Sequence, residues 1–509
     1  MFNGNIDMSK NSWMRYYFLL VSFSVLCAAC QAEYSEPDQT IKPEDPVLTN
    51  QMQVELDSTH ELKSTTDQII VPTADPTPAD PWAEIDPSGQ KILLWHKFSG
   101  VHRSAFDKFV ADFNERNEWG ITVEAQSQDN MGEIFNKMLN VINTPDTPNL
   151  VIAYQDQSAV YNLYNGLADL TGLEHSPRWG LMEDEKSDFF KVSLQGDISP
   201  LADKKRLGFP FSSSMEVLYY NKDWLAELGY SGPPGTPEEF KEMACKAAEK
   251  PFSKAEDEDS MGYGLWINAS RFASWTFSHN GDVFDYDNEE YSFDNEASIQ
   301  AMRYLQDLIL RGCAATTTEN YDDQALFGEG KLLFTTGTST GFPFYEGAID
   351  EGEQFEWDMA AIPFTTSSPI QNVHNISFTI PSANQEAELA SWLFLKYLAS
   401  PDVQTEWVKS SNYIPVRKSA ASGLLDYFNE NPEFISVYAL LENGKVEPAV
   451  PGYDFLRELV SESMSAIFIG GDAESILSEL TDEANTILED QYTIPLSTLE
   501  AIPMNAPDN

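Results

Sequence analysis

From residue 91 onward, apolar positions follow two alternating rhythms. Ile92-Leu93-Leu94-Trp95 is a continuous run of strand length, and after Ser104 the residues Phe106, Phe109, Val110 and Phe113 recur at the three- and four-residue offsets of one helix face. The alternation continues with a strand over Ile121–Ala125, a helix over Met131–Ile142, and a strand over Asn149–Tyr154 after Pro145-Asp146-Thr147-Pro148. Strands that alternate with helices imply parallel pairing and a layered α/β body. In open sheets of this kind, ligands sit beyond the carboxyl ends of the strands, here near His96–Gly100 and Tyr154–Gln157.

The next stretch, Gly208-Phe-Pro-Phe-Ser-Ser-Ser-Met-Glu-Val-Leu-Tyr-Tyr-Asn221, joins a turn-forming proline and three small hydroxyls to an apolar run. It is expected to be a strand that leaves one compact unit and enters another. Thr236-Pro237-Glu238-Glu239 has the form of a capped helix start. Beyond it lie a strand and an aromatic-rich helix within 262–284, and a helix over Asn295–Leu310. A strand over Leu332–Thr335 then leads into Thr336-Gly-Thr-Ser-Thr-Gly341, expected to be a flexible rim. A strand over Ile376–Ile380, a long helix over Glu386–Ser400 and a last helix over Ser475–Leu488 complete the pattern. No solenoid-like period is present.

At 509 residues the chain is too long for one core. Its 81 acidic against 31 basic residues give a formal net charge of -50, which repels phosphate backbones and excludes nucleic acid as a natural partner. Residues 1–30 resemble an export signal: Lys10 and Arg15 precede the apolar Tyr16–Ala29, which is short for a membrane span. Ala28-Ala29-Cys30 resembles a bacterial lipobox, so Cys30 is the expected lipidated residue, against a plain secretory signal or a retained anchor; the usual leucine position holds Cys27. Residues 31–89, rich in Asp, Glu, Thr and Pro, are expected to be a disordered tether, with an end-to-end distance of about 40 Å.

The combination Gly208-Phe-Pro-Phe, Leu218-Tyr-Tyr-Asn-Lys-Asp223, Gly229, Pro233-Pro234, Thr236 and Glu239-Phe240 resembles the central signature of carbohydrate-type extracellular solute-binding proteins of ABC importers, the maltose-binding-protein-like family. Pro148-Asn149-Leu-Val-Ile, Trp392–Leu398 with Ser400-Pro401, and Tyr413-Ile-Pro-Val-Arg417 agree in order, so the likeness spans about residues 90–490. Asn372-Val-His-Asn375 departs from it, because many relatives carry a glycine-rich turn there. The resemblance implies an α/β, two-lobed periplasmic-binding-protein-like fold (type II) with discontinuous lobes joined by hinge crossovers. Those crossovers are expected near Phe209–Ser214, Asn372–Asn375 and Tyr413–Val416. Lobe one is then 90–211 plus 375–413, lobe two 214–372 plus 416–490, and 491–509 a C-terminal tail.

A sugar presents hydroxyls around patches of C–H, so its binder needs aromatic faces and planar hydrogen-bonding groups. The expected cleft supplies His96, Lys97, Ser99, Tyr154, Gln155, Gln157, Ser212, Ser214, Asn268, Arg271, Trp275, Thr338, Ser339, Asn372, His374, Asn375, Tyr453, Asp454 and Arg457. Trp275 reads equally as a core residue and Arg457 equally as a surface charge, and His374 reads more readily as a backbone-bonded structural histidine. Cys245 and Cys313, the two cysteines outside the signal, are expected to pair as a disulfide in an exported protein. The acidic run Asp282–Glu290 reads as a solvated hairpin rather than a calcium loop.

No Gly-x-Ser-x-Gly, phosphate-cradling glycine loop or His-Glu-x-x-His occurs. The chain is therefore expected to be no enzyme, to carry no metal or cofactor, and to act as a membrane-tethered monomer that delivers a sugar or oligosaccharide to an ABC permease. A secreted glycan hydrolase and a binder feeding a sensor are the alternatives, and a glycerol-phosphate-type ligand is disfavoured by the acidity of the chain. Replacing Ser212 and Ser214 together with Leu is expected to abolish ligand binding and spare the fold; unfolding of that variant would mark the pair as core.

Overall fold

The computed structural model describes residues 80–255, 260–317 and 321–493. The export signal, Cys30, the tether up to residue 79 and the tail from residue 494 lie outside them. The tether's expected end at residue 89 is corrected by the ten residues that are described: Trp82 is buried in the first core, its carbonyl accepts from Trp179 Nε1 at 2.8 Å, and Asp80 Oδ2 accepts from Ser176 Oγ at 2.7 Å. An indole this well packed ties the segment to the folded body, which the surrounding Pro and Asp residues conceal in the sequence.

The first strands are β1 (Lys91–His96), β2 (Thr122–Ser127) and β3 (Leu150–Ala153), with β1 parallel to both others. Between them lie the helices Gly100–Arg116, which buries Phe106, Phe109, Val110 and Phe113, and Met131–Val141. The second group comprises β4 (Phe209–Asn221), β5 (Met261–Trp266), the hairpin strands β6 (Phe284–Asp285) and β7 (Glu290–Tyr291), β8 (Ala314–Thr317), β9 (Leu332–Thr338), β10 (Trp357–Ala360), β11 (Gln371–Thr379) and β12 (Gly444–Val446). The main sheet runs β2-β1-β3-β11-β4-β9-β5-β8, with β10 added on β4 and β12 on β11.

Two hydrophobic cores flank the middle of that order. One gathers Ile92, Phe106, Ile152, Phe209, Phe211, Phe378, Trp392 and Trp407; the other gathers Met215, Tyr219, Trp224, Tyr263, Trp275, Phe334, Val373 and Leu456. β4 and β11 belong to both. All thirteen residues of β4 are buried: Phe209 and Phe211 enter the first core, Met215 and Val217–Tyr220 the second, and Ser212–Ser214 fall between them. β11 repeats the scheme, with Val373 in one core, Ile376 and Phe378 in the other, and His374-Asn375 between. The two strands pair antiparallel, with His374 opposite Ser214 and Asn375 opposite Ser213, and a register shift at Ile376/Ser377 faces Pro210, a residue that cannot donate to a ladder. A third strand-like segment joins at Ile414, which exchanges both backbone hydrogen bonds with Ser213 at 2.7 and 3.0 Å. The fold is thus the two-lobed α/β architecture with strand crossovers.

Local chemistry explains the helix starts. Thr236 and Glu239 form a reciprocal capping box ahead of Pro237, and Asn295 caps the helix Glu296–Leu310. The Thr336–Gly341 run, expected to be a flexible rim, is the end of β9 followed by a short helical turn, with Thr338 and Thr340 half-buried. Thr336, Gly337 and Thr338 pair with β4, and a side chain at Gly337 would meet the Tyr345 hydroxyl at 2.8 Å. Small residues stand here because the rings of Tyr219 and Tyr345 stack 3.9 Å apart directly alongside. Cys245, on the helix Pro237–Glu249, is bonded to Cys313 just before β8, closing a separation of 68 residues.

Two outcomes follow. Reduction, or Cys313→Ser, is expected to lower stability by up to about 4 kcal/mol through release of the closed loop, measurable as a drop in the urea midpoint without loss of the fold. Ser212 and Ser214 are 0% and 3% exposed, so the paired Leu substitution is now expected to overpack the crossover and cost about 1–3 kcal/mol each, read as destabilisation rather than as loss of binding alone.

Candidate functional site

The carboxyl ends of β5 and β9 open on a cavity of about 590 Å³. Trp266, the last residue of β5, together with Tyr321 and Phe344, lines it with aromatic surface; Tyr321 is 53% and Phe344 65% exposed. Trp266 and Tyr321 stand 6.4 Å apart, and the Arg271 guanidinium lies over the Trp266 ring at 5.4 Å. Asp323 and Thr338 add polar groups; Asp323 accepts from the Tyr345 hydroxyl, and Thr338 Oγ1 meets Thr340 Oγ1 at 3.0 Å.

Arg271 connects this cavity to a buried polar chain. Its Nη1 lies 3.3 Å from Glu216 Oε1 and its Nη2 donates to the carbonyl of Thr336 at 3.0 Å, while His374 Nε2 lies 3.3 Å from the same Glu216 oxygen. Burial pushes the Glu216 carboxyl up, but Arg271 and His374 outweigh it and hold the group below its ordinary value. Arg271 Nε and Glu216 Oε2 find no hydrogen-bond partner among the described residues. A second knot is centred on Glu447, which accepts from Asn372 Nδ2 at 2.7 Å and Arg457 Nη1 at 2.8 Å; Arg457 Nη2 donates to Ser270 Oγ at 2.6 Å. Burial alone would raise the Glu447 carboxyl, yet Arg457, His374 and the Asn372 bond bring it down to about 2.

The helix Gln155–Leu163 reaches this face from the first core. Gln155 Nε2 donates to the Glu447 carbonyl at 3.1 Å and Gln157 Nε2 to Asp454 Oδ2 at 3.0 Å. Of the expected residues, Arg271 and His374 thus meet on Glu216, Gln155, Asn372 and Arg457 on Glu447, and Gln157 on Asp454, while Thr338 lines the cavity. Tyr154 stands half-buried at the start of that helix. Lys97 is half-buried, and Ser99 is exposed at the start of the helix Gly100–Arg116.

The other expected contacts are corrected. His96 is 1% exposed between Phe98 and Phe106, accepts from the Phe98 amide at 3.1 Å, and is driven down to about 4 by desolvation. Trp275 is fully buried against Phe240 and Tyr263, so its ring serves the second core. Asn268 spends its side-chain oxygen capping its own helix at the Arg271 amide. Ser212 and Ser214 lie inside the crossover, and Ser339 Oγ accepts from the Met215 amide. Asn375 accepts from Ser213 Oγ at 2.8 Å and donates to the Val192 carbonyl, which pins β11 rather than a ligand. Tyr453 is buried and stacks 6.2 Å from Tyr291. Trp266, Tyr321, Asp323, Phe344, Glu216 and Glu447 were missed. Of these, Trp266 alone carried a signal, since it ends a strand at the carboxyl side.

Residues 108–435 match the family described as bacterial extracellular solute-binding protein. The chain belongs to this family. Among relatives of this solute-binding protein, a binding protein of Brucella abortus (strain 2308) is 25% identical over 325 residues, 62% of this chain and 75% of the relative. The sn-glycerol-3-phosphate-binding periplasmic protein of Escherichia coli (strain K12) is 20% identical over 413 residues, 78% of this chain and 92% of the relative. The sugar-binding protein MalE of Xanthomonas citri superposes with a TM-score of 0.67 at 19% identity, covering 79% of this chain and 98% of that one, a likeness of fold. Among the described residues no cluster of three or more His, Cys, Asp or Glu side chains could hold a metal ion, and no helix is long and apolar enough to cross a membrane.

Two buried carboxyls make opposite contributions to pH dependence. Glu447, lowered from its ordinary value of 4.5, supplies stability that is present above that value and lost as pH falls towards about 2. Asp197, 2% exposed, is raised by desolvation to about 6 despite the Ser377 hydrogen bond and Arg206. Its contribution is therefore full below its ordinary 3.8 and lost as pH rises through about 6, a change of about 3 kcal/mol. Asp197→Asn cannot ionise, so urea unfolding at about pH 4 and about pH 7 is expected to show the variant gaining on the wild type by up to that amount at the higher pH; an equal difference at both would contradict the shift.

Proposed function

We propose that this solute-binding protein captures a neutral sugar or oligosaccharide between its two lobes and delivers it to an ABC permease, held at the outer face of the cell membrane by a lipid on Cys30. The observation that carries the ligand class is the cavity on the lobe-two side, walled by Trp266, Tyr321 and Phe344 with Arg271 and Asp323 among its lining groups. Aromatic faces complement the C–H patches of a pyranose ring, and charged planar groups pair with its hydroxyls.

The sugar-binding relative from Xanthomonas citri and the glycerol-phosphate-binding relative from Escherichia coli point to different ligands. The charge pattern favours the sugar. Arg271 and Arg457 are each already matched by a buried glutamate, and Asp323 and Asp454 add further carboxyls, so no cationic surplus awaits a phosphate. The relatives are binding proteins, and the cleft carboxylates Glu216 and Glu447 are each held in ion pairs with arginine, an arrangement suited to holding a ligand rather than cleaving it. In this reading the crossovers β4 and β11 and the Ile414 segment are the hinge, the lobes are approximately residues 90–211 with 375–413 and residues 214–372 with 416–490, and the protein acts as a monomer.

A thermal-shift screen with maltooligosaccharides, monosaccharides and glycerol 3-phosphate tests this directly. A ligand at a hundred times its dissociation constant is expected to add about 2.7 kcal/mol to stability, without release of new reducing ends. Trp266→Ala is expected to weaken sugar binding by about 2 kcal/mol, roughly thirtyfold, with an unchanged melting temperature in the absence of ligand. A response to glycerol 3-phosphate alone, or hydrolysis of the glycan, would overturn the ligand class or the binding-only reading respectively.

A further inference from the structure

The helix Gln155–Leu163, rooted in the first core through Ala159, Val160 and Tyr161, meets the helix Tyr453–Phe468, rooted in the second through Leu456 and Val460. At their contact Asp156 is 5% exposed and faces Asp454. The flanking Gln157 donates to Asp454 at 3.0 Å and Gln155 to the Glu447 carbonyl at 3.1 Å, so Asp156 stands between two bonds that cross from one lobe to the other.

The titratable groups that face this pair are few. Tyr161 lies on the same helix as Asp156, Tyr291 on β7, and Arg457 on the helix of Asp454. Arg457 is the one cation among them, and its guanidinium is held by Glu447 and Ser270. The hydroxyls of Tyr161 and Tyr291 are buried without a hydrogen-bond partner among the described residues. A buried carboxyl set against a second carboxyl favours a shared proton over two anions. Burial, next the charge of Asp454, and then the hydrogen bond between the two acids push the Asp156 carboxyl well above its usual range, with Arg457 opposing.

We propose that Asp156 and Asp454 form a proton-dependent clasp between the lobes, in which one shared proton holds the two helices together and its release to solvent separates them. The bonded arrangement is a neutral carboxylic acid on one residue donating to the carboxylate of the other. Loss of that proton leaves the buried Asp156 anion against the half-buried Asp454 anion, and the lobes part to hydrate them. The closed form binds one proton more than the open form, so acid favours closure and alkali favours opening. This goes beyond ligand capture and requires no sugar, which allows it to fail or hold separately from the proposed function.

Hydrogen–deuterium exchange of the ligand-free full chain, corrected for intrinsic exchange rates, tests the clasp between about pH 5 and about pH 8. In the wild type, protection of residues 155–163 and 453–468 is expected to fall together by about tenfold or more as pH rises, while β1 and β5 keep theirs. Asp156→Asn supplies a permanent amide donor to Asp454 and is expected to hold both helices protected across the whole range. Asp454→Asn repeats the test from the other lobe. Wild-type protection that does not change with pH would overturn the clasp. So would an Asp156→Asn protein with native circular dichroism whose helices are exposed at every pH, or unfolding of both variants, which would make the pair structural.

Discussion

A strand that serves two hydrophobic cores must pass through the space between them, and the residues it carries there cannot be apolar without fusing the cores. β4 and β11 both meet this constraint. Each enters one core with aromatic or branched side chains, crosses on short polar residues, and leaves into the other. The backbone of the crossing remains buried, so its N–H and C=O groups must be paired, and the antiparallel ladder of β4 with β11, together with the Ser213–Ile414 bridge, provides the partners. The polar side chains between the cores need partners as well, which explains the hydrogen-bonded set Ser193, Ser213 and Asn375.

The site grows from that crossing. Glu216 sits just past the serine stretch of β4 and Asn372 and His374 lie on β11, so the crossover places a carboxylate, an amide and an imidazole at the junction of the two lobes. Each buried charge is then matched from a neighbouring helix: Arg271 from Ala269–Ser278 and Arg457 from Tyr453–Phe468. Removing one partner of such a pair leaves an uncompensated charge in a dry place, so these groups act as a unit. The aromatic cavity beside them is where this polar floor meets stacking surface, and that pairing of features is the physical basis of the proposed carbohydrate ligand.

Much of the fold could be read from periodicity. The helix burying Phe106, Phe109 and Phe113, the capping box at Thr236 and Glu239, and the crossover at Phe209–Ser214 each have a local cause written into adjacent residues. The candidate site was legible only in part. Gln155, Gln157, Asn372 and His374 were expected near the cleft because they follow a strand end or lie on a crossover, whereas Trp266, Tyr321 and Phe344, brought together from three separate segments, were not gathered into one site. His96 and Trp275 were misplaced for the opposite reason: a polar or amphipathic group at the right sequence position turned inward once its neighbours packed.

By itself, then, the sequence determined the periodic elements, the two-core organisation and a charge that turns away polyanions, since each of these depends on composition or on contacts a few residues apart. It also supplied the two cysteines whose pairing needed only one fold consistent with both. Tertiary structure alone decided which polar side chains face one another across the lobes. Asp156 and Asp454 are distant in the chain and unremarkable in a protein with 81 acids, and only the packing of two helices from different cores sets the buried Asp156 against Asp454.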